Sequence, residues 1–243
     1  MARNGRCLTV PAWGRVCTLP YSEAVLASQW KGKAMQINLK ALKTVAMFVS
    51  TDETRYYLKG VNIEAQPNGF VMTATNGHYL AICRHDYLDA ETAPDWGPFI
   101  IPISLLERVK LGRHSDIASI ELAADGLSVS INYMGVTYTE HRVDGTFPDA
   151  RRVIPASVNG EAAQFNPSYV ALFGKAKALI TGKKAENAIC ICHNGGSPAL
   201  VDFVPEGATF QGFGVLMPFR WSNPMKQPPA WANVIGSSVA KAA

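Results

Sequence analysis

Apolar positions recur at helical spacing three times along this chain of 243 residues. From Asn38 to Val49, Leu39, Leu42, Ala46 and Val49 fall three or four apart, which predicts a helix. From Ser104 to Leu111, Leu105, Leu106 and Val109 form a shorter apolar stripe, with Gly112 as the stop. The third signal opens at Asn166-Pro167, an N-cap followed by proline at the first helical position. It runs through Val170, Phe173, Ala176 and Leu179 to Gly182. The three starts lie about 64 residues apart, a period that points to an internal repeat.

Each helix follows a short apolar run: Met35–Ile37, then FIIPI (99–103), then AQF (163–165). Each precedes segments of period-two alternation. These are YYLKGVNIE, FVMTAT and YLAICR; then IASIELAA, LSVSINY and VTYTEHRV; then AICICH, ALVDFV and FGVLMPF. Gly- and Asn-bearing turns separate them, as in antiparallel meanders. The unit reads as strand, helix, three strands. Two units could pair into an α+β domain with helices on one side and sheet on the other.

Composition narrows the possibilities. Hydrophobic residues make up 48% and charged residues 17% of the chain, which excludes general disorder. No apolar run reaches the roughly 18 residues of a membrane helix. Cys7, Cys17, Cys83, Cys190 and Cys192 are too scattered for a disulfide scaffold, so a reducing, cytoplasmic setting is expected. Residues 1–34 hold Arg3, Arg6, Arg15, Lys31 and Lys33 against Glu23 alone and account for the whole net charge of +4. That stretch lacks a signal-peptide core and is expected to be a flexible leader or the product of a mis-assigned start. Residues 222–243, rich in Pro, Ala and Ser, are expected to form a loose tail.

The polar faces of the three helices present nearly uncompensated base while the body as a whole is neutral: Lys40 and Lys43 on the first; Arg108, Lys110 and Arg113, against Glu107, on the second; Lys175 and Lys177 on the third, with Lys183 and Lys184 past Gly182. One reading is an ordinary solvated face with cations near helix C-termini. The other is a basic surface for a polyanion. Cys190-Ile191-Cys192-His193 lacks a second pair at zinc spacing, so no metal is expected. GKAKALITGKK (174–184) has no Walker pattern, and His78, His85, His114 and His141 have no evident nucleophile beside them. No cofactor and no enzymatic activity are expected.

Five motifs then appear in order: RYYLKGVNIE (55–64), TATNGHYLAI (73–82), VDGTFPDARRVIP (143–155), FNPSYV (165–170) and VLMPFR (215–220). In this combination the chain resembles the bacterial DNA polymerase III beta subunit, the sliding clamp. The resemblance implies a DNA-clamp fold of repeated units. Residues 35–155 would correspond to the middle clamp domain and 156–221 to the second half of the last. A half-domain would leave an exposed apolar edge, which the pairing of half-domains from two chains into one composite domain would cover.

The resemblance also implies a non-catalytic processivity factor in DNA replication with two binding surfaces. A helix-lined surface would hold duplex DNA without reading sequence, through Lys40, Lys43, Arg108, Lys110, Lys175 and Lys177, with Tyr56 and Tyr57 nearby. A hydrophobic cleft would dock peptides of polymerases and repair factors. Its members would be Leu58, Thr75, Gly77, His78, Leu80, Pro148, Arg152, Val153, Asn166, Tyr169, Val215, Met217, Pro218 and Phe219. Each apolar member taken alone also fits core packing, and the two tyrosines also fit a strand packing on its neighbour. Tyr79 stands where the family usually has Arg, which puts peptide preference in doubt. The expected partners are double-stranded DNA, clamp-binding peptides and further copies of the chain, with no membrane. The alternative is a module that never encircles DNA, binds peptides or a host clamp, and so modulates host replication.

Overall fold

The protein is described by a computed structural model that covers residues 34–87, 96–112, 115–182 and 188–220. Arg113, His114, Lys183, Lys184 and both chain ends therefore lie outside the described residues. The first unit is β1 (Met35–Asn38), α1 (Leu39–Ala46), β2 (Gly60–Gln66), β3 (Gly69–Thr75) and β4 (Tyr79–Asp86). The second is β5 (Phe99–Pro102), α2 (Ile103–Arg108), β6 (Ile117–Leu122), β7 (Ser128–Tyr133) and β8 (Val136–His141). The third is α3 (Pro167–Thr181), β9 (Cys190–Cys192), β10 (Ala199–Asp202) and β11 (Gln211–Leu216). This is an α+β fold of repeated helix-and-meander units.

The first two units trade strands. β1 does not join its own meander but pairs antiparallel with β6, giving a sheet of order β1-β6-β7-β8. β5 in turn pairs with β2. The second sheet has seven strands, in the order β5-β2-β3-β4-β11-β10-β9. The third unit enters it through the β4–β11 pair, from Gln211 opposite Arg84 to Leu216 opposite Tyr79. The edge expected at a half-domain is thus covered on the β11 side by a six-residue ladder. At the other end of this sheet stands β9, only three residues long.

The helices bury one face on this frame. In α1, six of eight residues are buried: Leu39, Ala41, Leu42, Thr44, Val45 and Ala46. Asn38 caps it through its side-chain oxygen, which takes the Ala41 N–H at 2.9 Å. α1 packs over β2, β3 and β4 and against α3. Between α1 and α3, Phe48 and Phe173 meet with ring centroids 4.7 Å apart, and Phe203 joins them at 5.9 and 5.4 Å. Three buried phenylalanines in contact form an aromatic joint between the first and third units.

Several expectations from the sequence need correction. The first helix stops at Ala46 rather than Val49, because Phe48 and Val49 leave the helical path to enter the core. The second spans Ile103–Arg108 and ends before Gly112, as Val109 is already extended and buried. The Tyr56-Tyr57-Leu58 stretch is no strand: Glu53–Leu58 form a 3-10 turn opened by the Asp52 carboxylate on the Thr54 N–H at 2.9 Å. A side-chain cap there overrides the strand preference of paired tyrosines. The AQF run before α3 also forms no strand. It has a strand-like sequence, but among the described residues no neighbouring strand completes a ladder with it.

Candidate functional site: an exposed apolar cluster and a sorted basic surface

The cluster is built where three elements end together. The β3–β4 turn carries Thr75, Gly77 and His78. Gly77 takes φ of 91°, a left-handed conformation that a β-carbon disfavours. Thr75 Oγ1 donates to the Tyr79 carbonyl at 2.6 Å and accepts the Gly77 N–H at 3.0 Å, so the turn is braced from within. The chain leaving β11 lies beside it, with the Met217 N–H donating to the His78 carbonyl at 2.9 Å. The start of α3 supplies the third side. Asn166 caps it by accepting the Ser168 N–H at 2.9 Å. Tyr169, one turn in, stacks on His78 at 5.8 Å and meets Tyr79 edge-on at 5.1 Å.

Beneath this rim, Leu80 and Val215 are buried and stand opposite one another in the β4–β11 pair. Above it, Met217 is 37% exposed and Phe219 53% exposed. The Phe219 N–H is anchored to the Gln164 carbonyl at 2.6 Å. An exposed Phe and Met above a buried Leu–Val floor, with histidine and tyrosine at the margin, make a surface fitted to an apolar side chain. Burial and the neighbouring Tyr169 push the Tyr79 hydroxyl pKa up, so it stays a neutral donor.

Other expected members stand differently. Leu58 is buried on the 3-10 turn. Pro148, Arg152 and Val153 lie exposed around a second 3-10 turn, Ala150–Val153, opened by the Asp149 carboxylate on the Arg151 N–H at 3.1 Å. Pro218 is half-buried between Met217 and Phe219. Two contributors were missed from sequence. Gln164 acts through its carbonyl, which no side-chain pattern reveals. Arg55 comes close enough to Gly77 that a β-carbon there would sit 2.9 Å from its guanidinium. It pairs with Asp52 at 2.9 Å. Its place inside the Tyr-Tyr motif was the available signal.

The helix cations are less free than the sequence suggests. Lys40 pairs with Asp116 at 2.8 Å, and Arg108 with Glu140 at 2.8 Å, an acid on β8 that Ser104 also reaches. Lys43 donates to the Leu106 carbonyl across the first two units. Its pKa is lowered, first by burial and then by Lys110, against a smaller opposing pull from Glu107. Lys177 Nζ donates to the Ala188 carbonyl at 2.5 Å. Lys110 and Lys175 are exposed and form no hydrogen bond or ion pair among the described residues. The expectation of nearly uncompensated bases is therefore corrected in part: Asp116, just before β6, and Glu140 on β8 reach over to the helices. Tyr56 is exposed and Tyr57 half-buried, edge to face at 5.8 Å, with Gly145 close against both.

Among the described residues no group of three or more His, Cys, Asp or Glu could hold a metal ion, and no helix is long and apolar enough to cross a membrane.

Known proteins share this fold. Residues 35–149 match the family model described as DNA polymerase III beta subunit, central domain. The chain is similar to the beta sliding clamp of Proteus mirabilis, 28% identical over 145 residues that cover 57% of this chain and 38% of that one. It is also similar to that of Staphylococcus aureus strain Mu50, 30% identical over 126 residues, 50% of this chain and 33% of that one. It thus spans well under half the length of these curated relatives. Among solved structures, the beta subunit of Pseudomonas aeruginosa superposes with a TM-score of 0.59 at 18% identity, covering 84% of this chain and 69% of that one. The beta subunit from Thermotoga maritima gives 0.54 at 15% identity, covering 80% and 67%. Over residues 35–149 this chain is thus similar to the central domain of the DNA polymerase III beta subunit, the sliding clamp.

Proposed function

We propose that this protein is a clamp-like, non-catalytic accessory of DNA replication that holds duplex DNA without sequence preference and docks a hydrophobic peptide. The observation that carries the reading is the convergence of the β3–β4 turn, the start of α3 and the end of β11 on one exposed apolar cluster. His78, Tyr169, Met217 and Phe219 would grip an apolar anchor over Leu80 and Val215. Thr75, Gly77 and Asn166 would hold the rim in shape. Leu58, Pro148, Arg152, Val153 and Pro218 would extend the surface toward the Ala150–Val153 turn. Exposed methionine accommodates varied anchors, which suits a site with several partners.

On the DNA side, Lys110 and Lys175 would meet phosphates first, with Lys40, Lys43, Arg108 and Lys177 adding field from their paired positions and Tyr56 and Tyr57 close by. Such contacts are salt-dependent and leave the protein free to slide. Self-association of the chain belongs to the same proposal. Residues 35–155 would act as the clamp domain and 156–221 as the incomplete one.

The test is fluorescence anisotropy on two probes, a labelled random-sequence duplex at low salt and a labelled peptide with a Leu/Phe anchor. Phe219→Ala should abolish peptide binding and leave duplex binding intact. Peptide binding unchanged in Phe219→Ala would overturn the assignment of the cluster. A second reading is favoured by the ion pairs of Lys40 and Arg108, which leave few free cations: a peptide- or clamp-binding module that never encircles DNA. Retention on circular but not linear duplex supports encirclement; equal loss from both supports the module.

A further inference from the structure

Each of the three meanders ends on a strand of the same rank: β4 in the first unit, β8 in the second and β11 in the third. Two of these strands pair with each other. β4 and β11 run antiparallel over six residues, last strand to last strand, and so join the first unit to the third. β8 is the one left over. It stands at the end of the order β1-β6-β7-β8 and its strand neighbour, among the described residues, is β7.

The ladder fixes where the backbone groups of β8 point. Just past it, the Arg142 N–H donates to the Leu127 carbonyl on the β7 side at 2.9 Å, and the Val143 N–H to the Ile100 carbonyl on the opposite side at 3.0 Å. Successive residues of an antiparallel strand alternate in this way. Val136, Tyr138 and Glu140 therefore turn their amides to β7, and Thr137, Thr139 and His141 turn theirs outward. All three outward residues are exposed. Among the described residues their outward groups meet one partner, the Arg108 guanidinium, which donates to the Thr139 carbonyl at 3.0 Å. A carbonyl oxygen has a second lone pair, so Thr139 can accept again. Such an edge is a template for another strand, and β8 has neither the proline nor the lysine that commonly guards one.

The sequence of β8 says which strand fits. Set antiparallel to a second β8 about a twofold axis through Thr139, it meets itself without a like-charge clash. Thr139 faces Thr139, Thr137 faces His141, Tyr138 faces Glu140 and Val136 faces Arg142. Glu140 is already paired with Arg108 at 2.8 Å. Val136, 50% exposed, gains the aliphatic stem of Arg142 as cover. A register centred on Glu140 would instead set carboxylate against carboxylate, whereas opposed threonines favour pairing.

We propose that two copies of this chain join edge to edge through β8, into one continuous sheet of order β1-β6-β7-β8-β8-β7-β6-β1. The contact is isologous, as a twofold axis requires, and repeats between chains the last-strand junction that β4 and β11 make within one. The proposal rests on the reading that the chain self-associates, and it names the surface.

Sedimentation equilibrium of the full chain at micromolar concentration tests it. Thr139→Pro removes an outward N–H and no bond to β7. It should shift the protein about tenfold or more toward monomer with an unchanged circular dichroism spectrum. Charge reads the register. Val136→Arg sets a cation opposite Arg142 of the other copy and should weaken the dimer roughly threefold at low salt, whereas Val136→Glu should tighten it. A cross-link reads the distance, in a chain with Cys7, Cys17, Cys190 and Cys192 changed to Ser. Cys83 stays, since it is buried and burial pushes its thiol pKa far up, out of reactive range. In that background Thr139→Cys should form a disulfide between two chains on mild oxidation. Ser130→Cys, opposite Thr139 on β7, should not, since its counterpart would lie three strand spacings away, about 14 Å. A monomer at every concentration overturns both self-association and this interface, and leaves the edge to a strand of another protein. A dimer that ignores Thr139→Pro, or that responds alike to both Val136 substitutions, overturns the interface and leaves self-association standing.

Discussion

The paired first and second units and the solitary third have the same sequence pattern and different fates. In the pair, β1 and β5 cross over, α1 buries six of its eight residues, and the cations Lys40, Lys43 and Arg108 are met by Asp116, Leu106 and Glu140 from across the fold. In the third unit the strand before the helix stays unformed and α3 buries two residues of fifteen. Lys175 remains without an ion pair among the described residues. The contrast teaches that a strand–helix–strand unit is not self-sufficient. Its first strand forms only in another unit's sheet.

The comparison breaks most sharply at the aromatic joint. Phe173→Ala removes the largest buried side chain that α3 contributes and should cost about 3–5 kcal/mol. Thermal or urea unfolding would check this, with the third unit expected to lose protease resistance first. Gly214→Val probes the same joint from the sheet, since a β-carbon there would lie 2.1 Å from the Phe173 ring. About 1–3 kcal/mol of overpacking is expected, and a destabilisation no larger than for Gly196→Ala, where a β-carbon would meet nothing within 4 Å, would refute the close approach.

The two asparagine caps sharpen it next. Asn38 is buried and also donates to Thr209 Oγ1 at 2.9 Å, tying the first unit to the loop before β11. Asn38→Ala should therefore cost about 2 kcal/mol, and Asn166→Ala about 1 kcal/mol, by equilibrium unfolding. Equal costs would mean that the cross-unit bond to Thr209 contributes nothing.

His85 offers a test by pH. It is buried on β4 against Phe70, its Nδ1 has no hydrogen-bond partner among the described residues, and burial lowers its pKa, with Asp86 opposing. The folded form thus refuses a proton that the unfolded chain accepts. Stability should be full above the free imidazole value near 6.5 and should fall as pH drops below it. His85→Leu should flatten that part of the Tm–pH curve, and an unchanged slope would sink the assignment. The smallest effect belongs to the lysines: Lys175→Ala should reduce the salt slope of duplex binding by about 0.9, and Lys40→Ala, already paired, by less.

Much of this was legible along the chain because local chemistry wrote it. The Asn166-Pro167 cap, the Gly182 stop and the alternating meanders each depend on residues close in sequence, and α3 spans nearly what its signals predict. The Glu53–Leu58 turn was misread because two tyrosines and a leucine look like a strand until Asp52 is seen to cap them. The rim of the cluster was legible as motif residues, but not Gln164, whose part is played by a backbone carbonyl.

The amino-acid order by itself determined three helix-and-meander units, their spacing, and which faces are apolar. It did so because helix and strand periods are set by neighbours a few residues apart. Only the tertiary structure decided which sheet each first strand joins, which lysines meet an acid, and that His78, Tyr169, Met217 and Phe219 come together. Those outcomes depend on hydrogen-bond partners and charges far along the chain, as with the Met217 N–H on the His78 carbonyl, and no local pattern encodes a partner that distant.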